Sequence, residues 1–266
     1  MNILITNDDG INSIGLRTLA EEISKIANIA VVAPDRERSA ISHAITMHKP
    51  LRADKVIIPD TGISGWKING TPADCVKLAL EALLDFTPDL VLSGINSGPN
   101  LATDVIYSGT VSAASEAAMS GIPAIALSIA GHELDDFCFI SAASIASKLL
   151  LQIINQNLPE NMLLNINIPP ADPSIIKGIA ITRLGNIRYV NSFDRRIDPR
   201  GKAYYWLSGQ PVDNTNDKGS DVWAVKNNYV SVTPLHVDLT KYEAIDTIES
   251  WNLEIADENG VGRGNE

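Results

Sequence analysis

Short apolar runs alternate with amphipathic stretches through the first 170 residues. Residues 2–6 (Asn-Ile-Leu-Ile-Thr) and 29–33 are continuous apolar runs, too short for helices. Runs of this kind are strands buried on both faces. Between them, Leu16, Leu19, Ile23 and Ile26 recur at helical spacing across residues 16–26. The alternation continues with a helix over 73–84, in which Val76, Leu78, Leu80 and Leu83 are apolar, and a strand over 89–93. An Ala-rich helix over 110–120, a strand over 123–129, a helix over 140–154 and a strand over 163–168 follow. Buried strands joined by helices of this length predict an α/β fold: a Rossmann-like, doubly wound, mostly parallel sheet in a three-layer sandwich.

After Pro169-Pro170 the texture changes. Residues 175–183, 202–207 and 221–232 are rich in β-branched and aromatic side chains and read as antiparallel strands. Polar Asn/Asp/Gly stretches separate them. The expected organisation is a Rossmann-like core over 1–174, a β-rich hairpin extension over 175–256 carrying oligomerisation elements, and a disordered tail over 257–266.

Composition narrows the function. The 266 residues carry a formal net charge of −11. That field opposes binding to a nucleic-acid polymer or an anionic membrane. A chain of this size buries enough surface to need no disulfide or structural metal. Cys75 and Cys138 have no neighbouring cysteine, so both read as reduced thiols. The first residues carry no basic segment and read as a strand, not a signal peptide. No apolar run approaches the ~18 residues of a membrane span. The expectation is a cytoplasmic protein.

Four loops carry candidate chemistry. Asn7-Asp8-Asp9-Gly10 follows the first strand, where a parallel sheet lines its ligand crevice. Two carboxylates about 4 Å apart repel by roughly 4 kcal/mol at an effective dielectric near 20 unless a cation or proton intervenes. The alternative is a turn in which Asp caps a helix. Residues 33–43 (Ala-Pro-Asp-Arg-Glu-Arg-Ser-Ala-Ile-Ser-His) follow the second strand and offer Ser39, with His43 as a candidate acid. Arg36 and Arg38 there suit an anion; the alternative, favoured for Asp35, Glu37 and each arginine singly, is a solvated loop whose Arg and Glu pair with each other. Residues 93–100 (Ser-Gly-Ile-Asn-Ser-Gly-Pro-Asn) bring Asn96 to the same edge, or merely make a turn. Ser108, Gly109 and Thr110 lead into the Ala-rich helix, whose free N–H groups suit a phosphate; Ser108 or Thr110 also suits a cap. Together these loops supply hard oxygen donors, which suit Mg²⁺ or Mn²⁺ and not Zn²⁺. The chain has no GxxxxGK[ST], no GxSxG and no GxGxxG after strand one.

The segments ILITNDDG, APDRERSAISHAIT, NGTPADCVKLAL, PDLVLSGINSGPN, DVIYSGTVSAASEA, GIPAIALS, LLNINIP and NYVSVTPLHVDLT, in this order, resemble the SurE family of metal-dependent 5'/3'-nucleotidases. The resemblance implies one divalent cation per subunit, held by Asp8, Asp9, Ser39 and Asn96. It implies a phosphate site at Ser108, Gly109 and Thr110 with Ser39 and Asn96, and catalytic roles for Asp8, Asp9 and Asn96. Ala40 and Ser112 stand where many members carry glycine. C-terminal elements that exchange between subunits imply a homodimer or homotetramer. The expected reaction is hydrolysis of a nucleoside monophosphate to nucleoside and phosphate. The alternatives are a broad phosphatase, an exopolyphosphatase acting on short chains, a non-catalytic nucleotide-binding protein, or an assembly protein working through its hairpins.

Overall fold

The computed structural model describes residues 1–131, 134–156, 158–190, 193–213 and 217–255. The tail expected over 257–266 and His132 lie outside these residues. The chain forms two units, Met1–Leu235 and His236–Glu266.

The first unit is built on a nine-stranded sheet among the described residues. In chain order its strands are β1 (Asn2–Thr6), β2 (Asn28–Pro34), β3 (Ala53–Ile57), β4 (Ser64–Ile68), β5 (Leu90–Ser97), β6 (Ala124–Ile129), β7 (Leu163–Ile168), β8 (Gly178–Ile181) and, after two small hairpins, β13 (Tyr229–Leu235). The spatial order is β3-β4-β2-β1-β5-β6-β7-β13-β8. The six strands from β4 to β7 run parallel, and β3 and β13 are antiparallel to β4 and β7. The hairpins pair β9 (Ile187–Val190) with β12 (Gln210–Asp213) and β10 (Phe193–Ile197) with β11 (Ala203–Leu207).

Helices cover both faces. On one face, α1 (Ile14–Ile23) and α4 (Asp136–Ile153) bury Leu16, Leu19, Phe139 and Leu150 against Ile3, Ile5 and Leu92. On the other, α2 (Pro72–Leu78) and α3 (Gly109–Met119) pack Cys75, Val76, Ala113 and Ala117 onto Leu4, Val32 and Val91. By length and composition alone α4 could cross a membrane, but Phe139, Ala142, Ala146 and Leu150 belong to the core. Capping fixes the helix starts. Ser13 accepts from the N–H of Leu16, and Thr71 and Asp74 form a reciprocal capping box at α2.

Three expectations are corrected. The edge strand β3 and its neighbour β4 were not expected. Asp54 and Lys55 of β3 are exposed and Gly65 and Lys67 interrupt β4, so neither shows an unbroken apolar run. Residues 221–232 are not one strand: Asp221–Lys226 is helix α5, capped by Ser220, and only then does β13 begin. The stretch 175–183 contributes β8, which runs parallel to β13, not antiparallel. The helix expected over 73–84 is present but widens into a π-helical turn at Ala79–Leu83. In the second unit, α6 (Ile245–Glu249) follows a 3-10 turn at Tyr242–Ala244, and Leu239, Leu253 and Ile255 are exposed.

Candidate functional site

The C-terminal ends of β1, β2 and β5 and the N-terminus of α3 gather the candidate loops. After β1 the chain turns on Asn7, whose side chain accepts from the N–H of Gly10 (3.2 Å) and donates to the Gly10 carbonyl (3.2 Å) and Ser13 Oγ (2.7 Å). Gly10 has φ +96, and a Cβ there would lie 2.9 Å from the Arg36 carbonyl carbon. Only glycine satisfies both constraints without strain.

That turn presents the two aspartates differently. Asp8 is 4% exposed and sits under the start of α3. Thr110 Oγ1 donates to Asp8 Oδ1 at 2.6 Å. Gly109 packs so tightly that a Cβ would stand 2.7 Å from Asp8 Cβ and 2.8 Å from its Oδ2. Asp9 is less buried, and its Oδ2 accepts from the N–H of Ser97 at 3.2 Å. Burial raises both carboxyls above the ordinary carboxylate range. For Asp8 the Thr110 hydroxyl opposes the rise. For Asp9 the charge of Asp8 adds to it, then that of Glu37, and the group is pushed up to about 6. Among the described residues no lysine or arginine pairs with either aspartate.

The β2 loop reaches the same place. The N–H of Arg38 donates to the Asp8 carbonyl at 2.7 Å, and Ser39 Oγ donates to Glu37 Oε1 at 2.7 Å. Arg38 pairs with Asp35 at 3.2 Å, as a self-paired loop would. Asn96 lies inside β5, which runs through Ser97 and does not end at Ser93 as expected. The pairing register with β6 shifts between Ser93 and Asn96. Asn96 Nδ2 donates to the Gly98 carbonyl at 2.9 Å, which turns the amide nitrogen toward its own loop. Ser108 is the cap of α3: its Oγ accepts from the N–H of Val111 at 3.1 Å. Thus Asp8, Gly109 and Thr110 are in direct contact, Asp9 meets the end of β5 at Ser97, next to Asn96, and Ser39 stands on the segment tied to Asp8 by Arg38.

A hard divalent cation fits this donor set. Two desolvated carboxylates without a cationic partner, at a sheet edge whose loops also carry Ser39 and Asn96, match an oxygen-donor ion. Among the described residues no three His, Cys, Asp or Glu converge, so neutral oxygens must complete any such shell. Beneath the crevice, Thr6 and Ser93 are paired in register, and their buried hydroxyls lack protein partners.

Several residues of this region were not expected. Asn100 is held by Ser128 and by Asn165 and Asn167 on β7, through bonds of 2.8–3.0 Å. Asp221 accepts from the backbone N–H groups of Ala102 and Gly185, at 2.8 Å and 2.7 Å. Glu116 on α3 is buried against His43. A lone buried-helix acid and repeated asparagines in a strand were the available signals.

A mostly parallel α/β sheet with paired acids at its carboxyl edge defines a Rossmann-like protein. The family model described as survival protein SurE matches residues 3–191. The chain belongs to the SurE family. It is 53% identical over 253 residues to the 5'-nucleotidase SurE of Pelotomaculum thermopropionicum, covering 94% of each chain. It is 51% identical to the 5'-nucleotidase SurE of Carboxydothermus hydrogenoformans, covering 94% of this chain and 96% of the relative. The crystal structure of the SurE protein from Aquifex aeolicus superposes with a TM-score of 0.82 at 41% identity, covering 95% of this chain and 100% of that one.

Proposed function

We propose that this chain is a cytoplasmic, divalent-metal-dependent phosphomonoesterase that hydrolyses nucleoside monophosphates. The observation that carries the reading is the Asp8–Asp9 pair: two carboxylates held at one sheet edge, both raised by burial, with no cation among the described residues to offset them. Family membership supports the substrate class, because the relatives named above are 5'-nucleotidases.

Asp8, Asp9, Ser39 and Asn96 would hold the ion, with Mg²⁺ or Mn²⁺ favoured by the all-oxygen donors. When bound, such an ion polarises phosphoryl oxygens and acidifies water. The chain's own groups do the rest. Thr110 fixes one oxygen of Asp8, and the other lies against Gly109. Asp9, the more accessible acid, orients the attacking water and accepts its proton. The start of α3 offers N–H groups and a positive dipole end to a phosphoryl group. Because Ser108 is committed to capping, Gly109 and Thr110 contribute chiefly through the backbone and through Asp8.

The hairpins support self-association into a dimer or tetramer. Phe193, Tyr205, Trp206 and Leu207 on β10–β11 are all more than half exposed, an apolar surface that a second copy of the chain would bury. Light scattering after chromatography tests this, and a monomer at micromolar concentration overturns it.

The main experiment is phosphate release from AMP or GMP with Mn²⁺ or Mg²⁺, with p-nitrophenyl phosphate and short polyphosphate as competitors. Activity should vanish with chelator. Asp9→Asn should lower turnover by roughly a thousandfold or more while the protein stays folded. Undiminished turnover in that variant rejects the assignment.

A further inference from the structure

The loop that carries Ser39 is fastened to α3 by a contact that the chemistry described above does not use. His43 Nε2 lies 2.8 Å from Glu116 Oε2. An ionised carboxylate only accepts, so Nε2 carries the proton and donates it. This removes Nε2 from service as a free base or acid. Glu116 is only 7% exposed, and its neighbours along α3, Ala113, Ala114, Ala117 and Ala118, are buried. A carboxylate in such a helix is costly unless it is paired. Its other oxygen lies 3.8 Å from Lys77 Nζ on α2. The loop has a second fastening to the segment before α3, where the N–H of Ser42 donates to the Tyr107 carbonyl at 3.0 Å.

The backbone between Ser39 and His43 needs such fastening. Ala40 has φ +53 and Ser42 φ +52, a left-handed conformation that residues with a side chain adopt only against a penalty. Strained segments of this kind persist where surrounding contacts over-determine them.

We propose that His43 and Glu116 form a latch that positions the Ser39 loop against α3, so that Ser39 and the aspartates meet in one crevice. Both are positioning residues, acting through Ser39. The inference rests on the reading of Ser39 as a ligand given above.

The test is Mn²⁺ binding to the full-length protein, read from the electron paramagnetic resonance signal of free Mn²⁺, alongside AMP hydrolysis. His43→Ala and Glu116→Ala should each weaken Mn²⁺ binding about tenfold. The double variant should be no worse than either single variant, the signature of one shared contact. His43→Gln, whose side-chain amide nitrogen can donate to Glu116, should recover most of the binding and most of kcat. Ser39→Ala should weaken Mn²⁺ binding as well. If Glu116→Ala does not fold, His43→Ala and His43→Gln, made on a part-exposed loop, carry the test. Parent-like binding in His43→Ala alongside weakened binding in Ser39→Ala overturns the latch alone. Losses that add in the double variant also overturn it. Parent-like binding in Ser39→Ala overturns the ligand reading, and the latch with it.

Discussion

The two faces of the central sheet are filled with different residues. Against α1 and α4 the sheet presents Ile3, Ile5, Leu92, Ile125 and Ile166, and the helices answer with Leu16, Leu19, Phe139 and Leu150. Against α2 and α3 it presents Leu4, Val91, Ala124 and Ala126, and α3 answers almost entirely with alanine. Large side chains set a helix at a distance, whereas alanine lets it approach. The α3 face also becomes polar toward the carboxyl edge, through Thr6, Ser93, Asn165 and Asn167. One face supplies most of the bulky apolar burial. The other brings the first turn of α3 down onto Asp8. Stability and chemistry should therefore respond to different substitutions.

The largest separation is expected from Phe139→Ala, which empties a site only 4% exposed on the α1/α4 face. It should cost about 3–5 kcal/mol by denaturant titration and leave turnover per folded molecule near the parent value. A large fall in turnover would break the division between faces. Gly109→Ala tests the opposite face. Its new Cβ falls 2.7 Å from Asp8 Cβ. AMP turnover should drop roughly a hundredfold, about 2.7 kcal/mol in the barrier, with a melting temperature within a few degrees of the parent. The smallest effect is the pH dependence of the metal-free protein. Asp9 is pushed up to about 6 from an ordinary 3.8, so the folded state holds its proton more tightly than the unfolded chain. The associated stability is full below about pH 4 and lost as pH rises through 6. In chelator, the melting temperature should fall between pH 4.5 and 7. After allowance for partial exposure this term amounts to about 2 kcal/mol. Asp9→Asn should remove this component of the slope, and an unchanged profile would show that Asp9 is not desolvated.

The central strands were readable because β1, β2, β5, β6 and β7 lie between two helix layers, and burial on both faces leaves unbroken apolar runs. The edge strand β3 and its neighbour β4 carry Asp54, Lys55 and Lys67, so no such run marks them. Residues 221–226 look like a strand from Val222, Trp223 and Val225. They fold as a helix because Ser220 caps them and Asp221 gathers N–H groups from Ala102 and Gly185, contacts far away in sequence. At the site, Asp8 and Asp9 stood out because adjacent charges at a strand end demand an explanation. Ser108 showed why a single motif residue is ambiguous: it caps the helix while its neighbours Gly109 and Thr110 touch Asp8. Glu37 looked like one more solvated charge, yet it accepts from Ser39 and bears on both aspartates. Glu116 showed locally only as a lone acid in an Ala-rich helix; its partner His43 is 73 residues away.

The left-handed alanine at position 40 bears on timing as well as geometry. Alanine narrows the unfolded ensemble where glycine would wander, but at φ +53 it also strains the finished loop more than glycine would. A strained rim stays closed only while its fastenings hold. Ala40→Gly should relieve that strain and make opening of the loop, read by amide hydrogen exchange, rarer.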